Sequence, residues 1–169
     1  MKRILFFIFT FALCLPGSAQ NWQETAYETA PGWFKFKESQ RPGVDGFFQA
    51  YAEMLKINPA DISFDLLQSK TDKLGFTHQR YQQLYKGIPV DGAQLLLHLK
   101  NGKVVSCNGN LVENLACATS PAISTKQALD AALAFVDAER YMWETESKVG
   151  AFHQESFAPR PQLVLTDEK

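Results

Sequence analysis

Asn101-Gly102, set between two alternating apolar runs, constrains this chain more than any other pair of residues. Both residue types tolerate positive φ, the backbone that a two-residue turn needs if it is to match the twist of the flanking strands. Before it, Ala93, Leu95, Leu97 and Leu99 share one face, with Gln94 and His98 on the other. After it, Val105, Cys107, Gly109 and Leu111 continue that apolar face. Alternation with a period of two predicts strands buried on one side, so the segment reads as a hairpin. Upstream, Leu74 to Tyr85 alternates more loosely and leads into a turn at Lys86-Gly87-Ile88-Pro89. Together these runs predict an antiparallel meander. Gly109 inside a strand predicts a bulge or a close backbone approach.

The period changes on either side. From Val44 to Ile57, residues Phe47, Phe48, Tyr51, Met54 and Leu55 recur at helical spacing, and Asn58-Pro59 is expected to end the helix. Residues 20–43, with Pro31, Gly32, Pro42 and Gly43, read as an irregular lead segment whose aromatic residues pack onto a neighbour. Ser124-Thr125-Lys126-Gln127 fits a capping box opening a helix whose apolar face is Ala128, Leu129, Ala132, Leu133, Phe135 and Val136. That helix is expected to fade near Arg140 to Trp143, and Gln162 to Leu165 predicts a short strand. The fold class is therefore α+β: a helix packed on an antiparallel β-meander, then a second small helix-plus-strand unit. A lone strand leaves its backbone groups unpaired, so this second unit reads as truncated. The expected divisions are 1–19, 20–43, 44–115 and 122–169.

Residues 1–19 carry the three-part pattern of a secretory signal peptide. Lys2 and Arg3 are the basic start, Ile4 to Leu15 is apolar apart from Thr10, and Ser18-Ala19 precedes a cut before Gln20. Secretion or a periplasmic location follows as an expectation. The apolar stretch is too short to span a bilayer comfortably, so no membrane association is expected after its removal. Removal of Lys2 and Arg3 takes the formal charge from −1 to −3, and no basic stripe points to nucleic acid. In an oxidising compartment Cys107 and Cys117 are candidates for a disulfide, although Cys107 shares the buried parity of its strand.

One ordered string within the meander carries a family resemblance. His78-Gln79-Arg80-Tyr81-Gln82-Gln83-Leu84-Tyr85-Lys86-Gly87-Ile88-Pro89-Val90, continued by Gly92-Ala93, Asn101 to Ser106 and Asn108 to Leu111, resembles the fungalysin/thermolysin propeptide motif. The positions that carry it are His78, Arg80, Tyr81, Gln83, Gly87, Pro89, Val90, Gly109 and Asn110. The helix from Ser124, with Leu163 to Leu165, resembles the start of a PepSY-type segment. The resemblance implies the pro-region of a thermolysin-like zinc metallopeptidase. Such a region acts as chaperone and inhibitor of its cognate catalytic domain, in cis or in trans.

Catalytic chemistry is not expected on this chain. A thermolysin-like enzyme needs two histidines four apart on a helix with a glutamate beside the first, so that both imidazoles face one zinc ion. The histidines here are His78, His98 and His153, at no such spacing. His78 and His98 lie in neighbouring strands, but two ligands without a third do not by themselves predict a metal site. Neither a nucleophile elbow nor a phosphate loop is present. No cofactor is expected on this chain, and zinc only on the catalytic domain. Two other readings remain open: a free-standing secreted protease inhibitor, and a periplasmic or surface module that binds peptide or protein.

Overall fold

Strand β5, Ile88–Lys100, is the longest element and lies inside a six-stranded antiparallel sheet. A computed structural model describes residues 21–141, 143 and 159–166. The expected signal peptide, with its cleavage pair Ala19-Gln20, and His153 lie outside the described residues. The remaining strands are β1 (Ala26–Ala30), β2 (Trp33–Phe36), β3 (Ile62–Thr71), β4 (Phe76–Tyr85) and β6 (Lys103–Asn110). Their spatial order is β1-β2-β6-β5-β4-β3.

The predicted reversals are tight. Tyr85 pairs with Ile88 across Lys86-Gly87, and Lys100 pairs with Lys103 across Asn101-Gly102. All four turn residues have positive φ: 49° and 82° in the first turn, 52° and 72° in the second. Both central residues with φ above zero make the primed turn that matches strand twist. The first reversal is complete within Lys86-Gly87, so Pro89 stands in β5 opposite Leu84 rather than in the turn. Between β3 and β4 the chain turns differently. Asp72 Oδ1 accepts from the N–H groups of Leu74 (2.8 Å) and Phe76 (2.9 Å), and Gly75 has φ 77°.

One face of the sheet is dry. Leu95, Leu97 and Leu99 on β5 are buried with Val104 and Cys107 on β6, Tyr81 on β4 and Phe36 on β2. The segment from 44 to 57 lies over this face and inserts Phe47, Tyr51, Met54 and Leu55. Phe47 and Tyr51 each meet Phe36 in an edge-to-face arrangement at centroid distances of 5.8 and 5.1 Å, and Phe48 stacks on Phe64 at 4.3 Å.

Three expectations need correction. Residues 21–43 are ordered: a one-turn helix α1 (Trp22–Thr25) precedes β1 and β2, which form a hairpin that joins the sheet beside β6. Its turn is Pro31-Gly32, with Gly32 at φ 72° and its N–H donated to Glu28 Oε1 at 3.0 Å. Proline first and glycine second is the residue pattern of a type II turn. The helix expected over Val44–Ile57 is only one regular turn, α2 (Phe47–Ala50), followed by irregular turns. It stops before Asn58-Pro59. Ile57 N–H bonds Ala52 O and Lys56 N–H bonds Glu53 O, both at 3.0 Å, with Lys56 at φ 53°. That pairing is a Schellman termination, which closes the helical turns by its own hydrogen bonds.

The third correction concerns the carboxy-terminal residues. The capping box of Ser124 and Gln127 is present, and α3 spans Thr125–Val136. It ends earlier than expected, at Asp137 in the left-handed region with φ 45°. Its apolar face is not covered among the described residues: Phe135 is 91% exposed. The strand expected over Gln162–Leu165 is a single parallel bridge. Leu165 N–H bonds Pro89 O at 2.9 Å, and Asp91 N–H bonds Leu165 O at 2.7 Å. Leu165 packs there beside Tyr85, Val90 and Ala93.

At Gly109 β6 leaves no room for a side chain against β5. A Cβ placed on it would lie 2.9 Å from Leu95 Cα and closer still to Gln94 O. Gly109→Ala is therefore expected to cost about 2–3 kcal/mol by overpacking. Gly87→Ala, which meets nothing within 4 Å, is expected to cost about 1–2 kcal/mol for its left-handed backbone. Urea unfolding of the two variants checks that order.

Candidate functional site

The residues singled out from the sequence fall on both faces of β4, in the Lys86-Gly87 turn, at the start of β5 and at the end of β6. Tyr81 and Gln83 point to the buried side. Tyr81 meets Phe48 edge-on at 5.0 Å and donates its hydroxyl to Gln79 Oε1 at 2.8 Å. Burial raises the pKa of that hydroxyl. Gln83 is fully buried. Its Nε2 donates to Val112 O at 2.8 Å, and its Oε1 accepts from Val112 N–H at 2.9 Å. The side-chain amide thus replaces a strand partner just where β6 has ended. A buried primary amide left unpaired would be costly; this one is satisfied at both ends.

Gln82, on the opposite face, was not singled out, yet it has an equivalent task. The register between β4 and β5 shifts between Gln82 and Leu84, because residues 90–93 bulge out of β5. Gln82 Nε2 reaches into that bulge and donates to Val90 O (2.6 Å), Ala93 O (3.0 Å) and Gln83 O (3.0 Å). Val90 itself is buried. Two adjacent glutamines are a readable signal that both faces of a strand need an amide. The bulge that explains Gln82, however, depends on Gly92 at φ 70° and is visible only in the structure.

Arg80 and His78 lie on the uncovered face. Arg80 is exposed and donates to Gln94 Oε1 on β5 at 2.9 Å. His78 Nδ1 lies 2.7 Å from His98 Nδ1. His78 Nε2 lies 3.2 Å from Asp72 Oδ2, and His98 Nε2 lies 2.7 Å from Asn108 Oδ1. The Asp72 carboxyl is held below the usual carboxylate range, first by the Phe76 N–H and then by His78 and the Leu74 N–H, with burial opposing. Among the described residues no cluster of three or more histidine, cysteine or acidic side chains is arranged to hold a metal.

Asn110 ends β6 on the rim of a cavity of about 300 Å³ that includes Gly32, Phe34, Met54 and Leu111. A larger cavity of about 660 Å³ opens between Ile57, Tyr85 and Leu115. Lys56 and Glu113 line both cavities and form an ion pair of 3.1 Å. The cysteines do not form the bridge considered from the sequence: Cys107 is buried and free, and Cys117 is exposed and free. Burial pushes the Cys107 thiol up to about 12, so it packs as a small apolar group and is not a nucleophile.

These nine positions therefore belong mainly to one folded unit, and that unit is a known one. Residues 63–111 match the Fungalysin/Thermolysin Propeptide Motif, and the match coincides almost end to end with the β3–β6 meander. The chain thus carries this propeptide motif over residues 63–111. Thermolysin from Alicyclobacillus acidocaldarius subsp. acidocaldarius and thermolysin from Bacillus caldolyticus are each 44% identical over 66 residues, covering 37% of this chain and 12% of the relative. Bacillolysin from Bacillus amyloliquefaciens is 33% identical over 101 residues, covering 55% of this chain and 19% of the relative. The chain spans less than a fifth of the length of these curated relatives.

Two outcomes follow from the buried groups. Gln83→Leu leaves the N–H and C=O of Val112 without partners and is expected to cost about 2–4 kcal/mol, measured by urea unfolding. Under native conditions a thiol reagent followed by peptide mapping is expected to label Cys117 and leave Cys107 unmodified until the chain is denatured.

Proposed function

We propose that this chain is the pro-region of an exported thermolysin-like metallopeptidase, acting as chaperone and inhibitor of that enzyme's catalytic domain. The observation that carries the reading is the coincidence of the propeptide motif with a complete structural unit. Residues 63–111 are four consecutive paired strands that share one buried face, rather than a scatter of matching residues. The catalytic domain is the partner, and export follows from the signal-peptide pattern of residues 1–19. The helix α3 and the Leu165 bridge are read as the start of the PepSY-type segment that accompanies this motif in such pro-regions.

The physical basis of the chaperone action is linkage. A segment that binds the folding-competent form better than the unfolded one shifts the equilibrium toward it. Covalent connection raises the effective concentration, so modest contacts suffice. Inhibition follows when the bound segment blocks access to the cleft.

The test is refolding. A thermolysin-like catalytic domain is denatured and refolded alone, with this chain added, and with this chain fused ahead of it; activity is measured after the added segment is digested. Several-fold higher recovery in the fused form is the expected result. Equal recovery in all three arms counts against the chaperone reading. A separate assay, in which micromolar chain leaves an active thermolysin-like enzyme unaffected both in trans and fused, counts against inhibition.

A further inference from the structure

The open face of the sheet holds two imidazoles in an arrangement that the propeptide reading does not use. His78 on β4 and His98 on β5 are register partners. Their Nδ1 atoms are 2.7 Å apart, and the rings cross at 74°. The outer nitrogen of each ring faces an oxygen: Asp72 Oδ2 for His78 and Asn108 Oδ1 for His98. Oxygens accept, so each Nε2 is the donor and carries the hydrogen. A neutral imidazole protonated at Nε2 presents a lone pair at Nδ1. In that tautomer both Nδ1 lone pairs are open to a cation between the strands; in the other tautomer of His98, with the Asn108 amide turned, its Nδ1–H donates to His78 Nδ1 and the rings share only a proton.

An oxygen acceptor on the distal nitrogen is also the arrangement that orients metal-bound histidines and raises their basicity. We propose that His78 and His98 form a two-nitrogen site for a divalent transition-metal ion, Zn²⁺ or Cu²⁺, bound at both Nδ1 atoms with water completing its coordination. Imidazole nitrogen suits both ions. Metal–nitrogen bonds of about 2.0–2.1 Å at a tetrahedral angle place two nitrogens about 3.3 Å apart. The rings therefore need to separate by about 0.6 Å from the 2.7 Å seen here. They are free to do so because no element among the described residues covers this face, and the His78 side chain is 40% exposed. Lys70 on β3 is the register partner of His78 and stands beside the site, whereas Arg80 bonds Gln94 Oε1 and Lys100 bonds the Leu74 carbonyl. Cys107 is buried and does not compete for the ion.

The full chain, freed of metal by chelation, is titrated with zinc chloride while the imidazole nitrogens are followed by nitrogen–proton correlation NMR. One equivalent is expected to saturate the site and to shift the Nδ1 signals of His78 and His98 together. His78→Gln and His98→Asn are each expected to weaken binding by about tenfold or more, while Cys117→Ser and His153→Gln leave it unchanged. The unsubstituted chain gives a readout that does not depend on how the variants fold: its thermal midpoint rises with zinc and returns with chelator. The proposal is overturned by the absence of saturable binding up to millimolar zinc. It is equally overturned by binding that survives either histidine substitution, or by binding that is lost with Cys117→Ser; the two rings then share only a proton.

Discussion

Leu95, Leu97 and Leu99 stand in one row on β5, each with at most 4% of its surface exposed, and that row decides where everything else lies. A strand has two faces, and burying one commits its neighbours to the same choice through the pairing register. Val104 and Cys107 on β6, Tyr81 on β4 and Phe36 on β2 all fall on that side. The segment 44–57 then has one place to put Phe47, Tyr51, Met54 and Leu55. At about 25 cal/mol per Å² of apolar surface, these side chains are the main favourable contribution to this half of the molecule. The opposite face, by contrast, carries Arg80 and Gln94, which bond each other across strands, and His78 and His98, whose Nδ1 atoms lie 2.7 Å apart.

How much of this was legible depended on which physical signal each element carried. Asn101-Gly102 and Lys86-Gly87 were legible because positive φ restricts residue choice. The β1–β2 hairpin has the same kind of signal at Pro31-Gly32, but its strands are only five and four residues long and mostly exposed, so no alternation marks them. β3 was obscured differently. Its register slips between Leu66 and Gln68, so the two leucines at 66 and 67 interrupt the period of two and remain about half exposed. The helix over 44–57 was read too long because apolar residues at three- and four-residue spacing serve irregular turns as well as a helix. The Schellman bonds at Lys56 and Ile57 have no residue signature when lysine, rather than glycine, takes the left-handed position.

The two glutamines show why a motif can be specific without being a binding site. Gln83 supplies a strand-like partner to Val112, and Gln82 fills the bulge of residues 90–93. Each answers a backbone accounting problem created by the end or the distortion of a neighbouring strand. Gly109 answers a steric one against Gln94 and Leu95. A string of residues under such local constraints stays recognisable wherever the meander recurs. This accounts for identity concentrated over 66 residues in the thermolysin relatives without assigning those residues to contact with an enzyme.

Surfaces facing a partner must then be sought among side chains that the meander does not need for its own closure. Trp33 is about half exposed beside Asn108 on the uncovered face, and Phe135 on α3 is almost fully exposed. Neither residue belongs to the matched span of 63–111. If contact with a catalytic domain runs through such positions, the motif reports that a protein has this scaffold, while the choice of partner is written in the segments flanking it. That division follows from the chemistry of the sheet: one face is fully committed to the core, and the polar side chains at the centre of the other largely satisfy one another. For the proposed partner, that leaves the β1–β2 hairpin at one edge of the sheet and helix α3 as the surfaces to test.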